Sequence, residues 1–117
     1  MATFTKSLLS GSTNGKQIKI TGTNSGGADT IHTAVAGTSS LDEIWLYAHN
    51  DHTAAVVLTI LWGGTTDPDN QITVTIPSLA GRTLVVDGML LQNGLVVKAY
   101  AGSANVIMLD GFVNAIT

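Results

Sequence analysis

Apolar and polar residues alternate with period two along most of this chain, and the alternation is densest between Leu41 and Gly64. In the first half of that stretch Ile44, Leu46 and Ala48 alternate with Glu43, Trp45 and Tyr47. In the second half Val56, Leu58, Ile60 and Trp62 alternate with Val57, Thr59 and Leu61. A period of two sends successive side chains to opposite faces of a sheet. Two long strands joined by the polar turn HNDHT, a central hairpin, are therefore predicted. The second strand is apolar on both faces and needs two covers, its own core and something else. A chain this short has no second domain to supply the other cover, so a neighbouring subunit is expected there. Trp45, Tyr47, Val57, Leu61 and Trp62 become candidate interface residues.

The same pattern recurs on either side. KQIKIT, from Lys16, turns Ile18 and Ile20 inward, and Thr30–Ala36 places Ile31, Thr33 and Val35 on one face. GTNSGGAD between them is dense in turn formers. QITVTIP, from Gln71, alternates Ile72, Val74 and Ile76 with threonines and stops pairing at Pro77. Short strands are predicted at Thr83–Val86 and Met89–Leu91, parted by a tight turn at Asp87-Gly88. Leu95–Ala101, Asn105–Leu109 and Phe112–Ile116 follow, the last two separated by a bulge at Asp110-Gly111. Eight or nine short antiparallel strands with turn signals between them define an all-β fold, a single-domain β-sandwich or jelly-roll-like barrel. Residues 16–117 form that domain. Residues 1–15, small and hydroxylated with an apolar island at Leu8 and Leu9, read as an extended N-terminal arm able to drape over a partner. Thr3, Phe4, Leu8 and Leu9 join the candidate contact residues.

Composition sharpens the expectation of partners. At 117 residues the chain holds one core. Charged residues make up 11%, against roughly 25% in an ordinary soluble domain. Apolar residues reach 44%, yet the longest apolar run, Ala54–Trp62, falls well short of the ~20 residues of a spanning helix. No membrane association and no cleaved secretion signal are expected. A surface so poor in charge suits an obligate oligomer, part of which never meets water. The net charge of −3 and five scattered basic residues argue against nucleic-acid binding. Cysteine is absent, which removes disulfides and thiolate metal sites.

Candidate chemistry is sparse. His49-Asn50-Asp51-His52 carries metal-ligand residue types, but it reads more simply as a turn in which Asn and Asp bond their own backbone. His32 adds no spacing clue. Asp67-Pro68-Asp69-Asn70 lacks the spaced ligand series of a calcium loop and reads as a rigid turn. Gly63-Gly64 opens no helix, so it is no phosphate cradle. The serines sit in no strained elbow motif, and no two carboxylates are placed to face each other. No catalytic residue, metal or cofactor is expected. Trp45, Tyr47 and Trp62 could stack on sugar rings, but such residues more often anchor a core or an interface.

Three segments carry a resemblance: LDEIWLYAHNDHT, LTILWGGTTDPDNQITVTIP and LLQNGLVVKAYAGSANVIMLDGFVNAI. Together they cover roughly Leu41 to Ile116, and they resemble small structural proteins of tailed-bacteriophage head gene clusters, above all the capsid decoration or cement proteins. The resemblance implies a non-enzymatic β-sandwich or β-tulip domain on the outer capsid surface, made in the host cytoplasm. It implies a homo-oligomer, a trimer, that clamps adjacent copies of the major capsid protein. A neck or tail component of the virion and a host-adhesion module that binds carbohydrate are the competing readings. The family has no shared binding motif to carry over.

Overall fold

The computed structural model describes residues 2–117. Its strands are β1 (Phe4–Leu8), β2 (Ile18–Lys19), β3 (Asp29–Thr33), β4 (Leu41–Asn50), β5 (Val56–Trp62), β6 (Gln71–Ile76), β7 (Thr83–Leu91), β8 (Val96–Ala101) and β9 (Ile107–Ile116). They form two antiparallel sheets, as the alternation predicts. Sheet A has the order β1-β9-β4-β7, with β2 also on β9, and sheet B the order β3-β8-β5-β6. The pairs β2·β9, β3·β8, β4·β7 and β5·β6 are the rungs of one long hairpin with its tip between β5 and β6. Rolling that hairpin on itself adds β4·β9 and β5·β8, and the product is a jelly roll.

β4 alternates strictly, with Asp42, Ile44, Leu46, Ala48 and Asn50 turned inward. Facing them from sheet B are Val56, Leu58, Ile60, Val97, Ala99 and Ala101, all in one core cluster with Leu9, Ile20, Ile31, Ile107 and Leu109. Each fully buried Leu or Ile contributes about 2 kcal/mol of transfer free energy.

The structure corrects four expectations. First, β4 and β5 are not a hairpin: they lie in opposite sheets, and the polar link between them is a corner. Period two fixes which face a side chain takes but not which strand lies alongside, so a short polar link fits either role. Asn50, wholly buried, ties this corner together: its Oδ1 accepts the His52 N–H (2.9 Å), and its Nδ2 reaches the carbonyls of Ala54, Ile76 and Pro77. The turn reading of the HNDHT stretch thus holds for Asn50, although the turn joins two layers.

Second, the outer face of β5 is covered by its own chain. Leu61 is opposite Lys98 on β8 and Gln71 on β6. Gln71 Nε2 hydrogen-bonds Tyr100 Oη (3.4 Å), and since β6 and β8 flank β5, that bond crosses above it. Leu61 is fully buried as a result, and only Val57 stays open on this face of β5.

Third, the segment expected as an arm contains an edge strand of sheet A. Phe4 to Leu8 pairs in register with Ile116 to Phe112, and Thr3 and Thr117 exchange two backbone hydrogen bonds (2.8 and 2.9 Å). Leu9 turns into the core. Threonine and serine suit an edge strand as well as a coil, which hid this strand from pattern reading.

Fourth, Asp87-Gly88 is no tight turn. β7 runs through it, and the register against β4 slips there because Met89 faces Ile44 while Asp87 faces Trp45. Gly88 is the extra residue, with φ +80°. β9, conversely, passes Asp110-Gly111 without a slip. Gly111 is required there for space: a Cβ would lie 1.9 Å from the Trp45 carbonyl oxygen.

Candidate functional site

The outward side chains of sheet A form the most distinctive surface of the protein. Strand register sets them in rows. Phe4, Ile116 and Leu41 make one row; Lys6, Asn114, Glu43 and Leu90 the next; then Leu8, Phe112, Trp45 and Asp87. Asp110, Tyr47 and Leu84 lie beyond them. Phe4 is 66% exposed, Leu8 58%, Leu90 51% and Leu84 47%, which is unusual for side chains of this size.

The centre of the face is organised by its own contacts. Trp45 stacks on Phe112 with ring centroids 6.0 Å apart and planes 12° from parallel. Lys6 Nζ stands 4.3 Å from the Phe112 ring centre on β1's side. Trp45 Nε1 donates to Glu43 Oε1 (2.8 Å), and Asn114 Nδ2 donates to the same oxygen (2.9 Å). Those two donors, Asn114 first, hold the Glu43 carboxyl below its ordinary value. At the far side the Arg82 guanidinium lies 3.6 Å over the Tyr47 ring, while its Nε donates to both Asp110 oxygens (3.1 and 3.0 Å). Gly88 allows Trp45 to lie close, since a Cβ there would come within 2.9 Å of its ring. The Trp45, Phe112 and Tyr47 rings are thereby each held by a neighbouring side chain.

Of the sequence-derived contact residues, Phe4, Leu8, Trp45 and Tyr47 come together on this face, with Thr3 at the β1 end. Val57 is exposed but lies on sheet B. Leu9, Leu61 and Trp62 must be withdrawn as contact residues. Leu9 and Leu61 are buried in their own subunit, and Trp62 points inward from β5 and packs against the core. Trp45, Tyr47 and Trp62 consequently share no platform, and the Trp45 and Tyr47 rings already carry Phe112 and Arg82 on a face. Phe112, Ile116, Leu84 and Leu90 were not identified from sequence. Phe112 and Ile116 follow by alternation once β9 is seen to run unbroken.

A second polar cluster, also missed, lies between the sheets. His32 on β3 and Asp42 on β4 are both 6% exposed, and His32 Nε2 is 2.8 Å from Asp42 Oδ2. His32 Nδ1 accepts the Ser10 N–H (3.0 Å), so the ring proton is on Nε2 and is donated to Asp42. Asp42 also accepts the Val35 N–H (3.1 Å). Serine, histidine and aspartate meet here, but Ser10 Oγ accepts from the Thr33 N–H (2.8 Å) and does not bond the imidazole. The cluster holds the two sheets and the N-terminal segment together. Its chemistry is that of a staple.

His49 points outward beside Met108, and among the described residues no three metal-ligating side chains converge. The Asp67–Asn70 stretch is a turn fastened by Asn70, whose Oδ1 accepts the Thr66 N–H (3.1 Å) and whose backbone carbonyl accepts that of Trp62 (2.7 Å). Two open recesses flank Leu95: one of about 250 Å³ beside Gly63 and Lys98, one of about 460 Å³ beside Leu41 and Leu90. Among the described residues, Lys98 is the one ionisable side chain lining either.

No family model matches the sequence, and neither a curated protein nor a solved structure matches the chain.

Proposed function

We propose that this protein is a non-enzymatic structural component of a bacteriophage virion, bound to the outside of the capsid as a homo-oligomer that cements adjacent major capsid subunits. The observation that carries the reading is the outer face of sheet A. Exposed Phe4, Leu8, Leu84 and Leu90 surround a centre of Trp45, Phe112, Tyr47 and Arg82. Aromatic residues and arginine are the types most enriched where proteins bind proteins. Rings already locked by neighbours lose little conformational freedom on binding, which favours affinity. A jelly roll occurs in viral shells and in other settings alike, so the fold permits the role and the face argues for it. Three-fold assembly, the geometry the family resemblance implies, multiplies weak individual contacts into firm attachment. The protein gathers in the host cytoplasm and ends on the virion surface.

The test is co-sedimentation with expanded heads of the encoding phage. Binding should saturate at a fixed ratio to the major capsid protein. F4S/L8S/L90S, altered only at exposed positions, should bind at least tenfold more weakly. Wild-type protein that stays in the supernatant, or a triple variant that binds as well, would refute the reading.

A further inference from the structure

β6 is one of the two edges of sheet B, and it differs from the other open edges of the molecule. β1 carries Lys6, β3 carries Asp29 and a register slip, and β7 carries Asp87 with two slips against β4. Charges and bulges of this kind are how sheets block unwanted pairing. β6 has neither: Gln71–Ile76 pairs with β5 without a slip and contains no charge, glycine or proline.

The strand is also its own complement. Ile72-Thr73-Val74-Thr75-Ile76 reads the same in both directions. Trp62 N–H bonds the Asn70 carbonyl, and in the β5·β6 register this directs the backbone groups of even-numbered β6 residues toward β5. The N–H and C=O groups of Thr73 and Thr75 therefore face outward, and both threonine side chains are exposed. Set antiparallel about Val74, a second copy brings its Thr75 opposite Thr73 and its Ile76 opposite Ile72. The outward-directed residues then meet each other, as exchange of paired backbone hydrogen bonds requires. Threonine pairs line one face and isoleucine pairs the other, both favourable cross-strand matches.

We infer that β6 is a homophilic edge: two copies of this chain join their B sheets through β6 and β6 across a two-fold axis at Val74, making one continuous sheet. The axis stands perpendicular to the sheet, so the A sheets of both copies lie on the same side. The contact closes on itself and uses up both unguarded edges, so it stops at a pair. It does not depend on the proposed capsid role. Combined with three-fold assembly through another surface it still yields an even number of copies.

The test combines sedimentation velocity with amide exchange. Wild-type protein should have a mass that is an even multiple of 12.1 kDa, with the Thr73 and Thr75 amides protected. T73K/T75K, which opposes lysine to lysine across the axis, should halve the mass and expose both amides. T73K/T75E, which opposes lysine to glutamate, should restore both. An odd multiple of the chain mass, unprotected amides in the wild type, or a mass indifferent to these changes would overturn the inference.

Discussion

Asp42 shows how much a single buried residue carries here. Its carboxylate receives the His32 ring N–H and the Val35 backbone N–H. Asp42→Ala leaves the His32 ring N–H and the Val35 N–H without an acceptor, and a buried donor left unpaired costs about 1–3 kcal/mol. Urea unfolding should show that loss in the midpoint with the slope unchanged. Asp29 is governed by opposing effects. Burial pushes its carboxyl up, and hydrogen bonds from Gly22 N–H, the Thr21 hydroxyl and Thr21 N–H outweigh it, leaving the group below its ordinary value. A depressed carboxyl adds stability that is complete above the unfolded-state value, about pH 4, and is lost as pH falls through the folded-state value. Glu43 acts in the same sense. Asp29→Asn should therefore flatten the acid limb of a stability-versus-pH curve, and a limb as steep as the wild type's would contradict this. None of these clusters was legible in the sequence. His32 meets Asp42 and Ser10 only because the roll brings β3, β4 and the N-terminal segment together.

Among the strands, alternation revealed the faces and concealed the neighbours. Ile44, Leu46, Ala48, Leu58, Ile60, Ile72 and Val74 all face inward as their spacing indicates. Which strands pair was not readable, because β4 and β5 are adjacent in sequence yet belong to different layers. The double-sided apolarity of β5 marked a truly covered strand at Thr59 and Leu61, and there the cover comes from the same chain, with Gln71, Lys98 and Tyr100 alongside. Ile60→Asp should consequently unfold the subunit, seen as loss of the cooperative thermal transition; a folded, merely dissociated chain would show that β5 had been placed wrongly. The N-terminal segment obeys the same logic. Leu9→Ala removes a core side chain and should cost about 2–5 kcal/mol by the usual large-to-small range, measurable by denaturant unfolding. An unchanged stability would instead mean that this segment is a free arm.

For the molecule as a whole, low charge led to the expectation of a covered surface, and the structure exposes four large apolar side chains, Phe4, Leu8, Leu84 and Leu90, on the outer face of sheet A. That face combines residues from β1, β4, β7 and β9, which are scattered from Phe4 to Ile116. Trp45 and Tyr47 were visible as aromatic candidates, whereas their partners Phe112 and Arg82 depended on register and on the loop before β7. The molecule is thus a jelly roll with one face on which exposed apolar side chains surround ordered aromatic and charged ones. The β6 contact inferred above lies in the other sheet and is separate from that face. Cryo-electron microscopy of expanded heads saturated with the protein tests the central claim most directly. Jelly-roll density on the outside of the shell, with Phe4, Leu8 and Leu90 against the capsid subunits, is the result expected. Density with sheet A turned to solvent, or heads left bare, would contradict it.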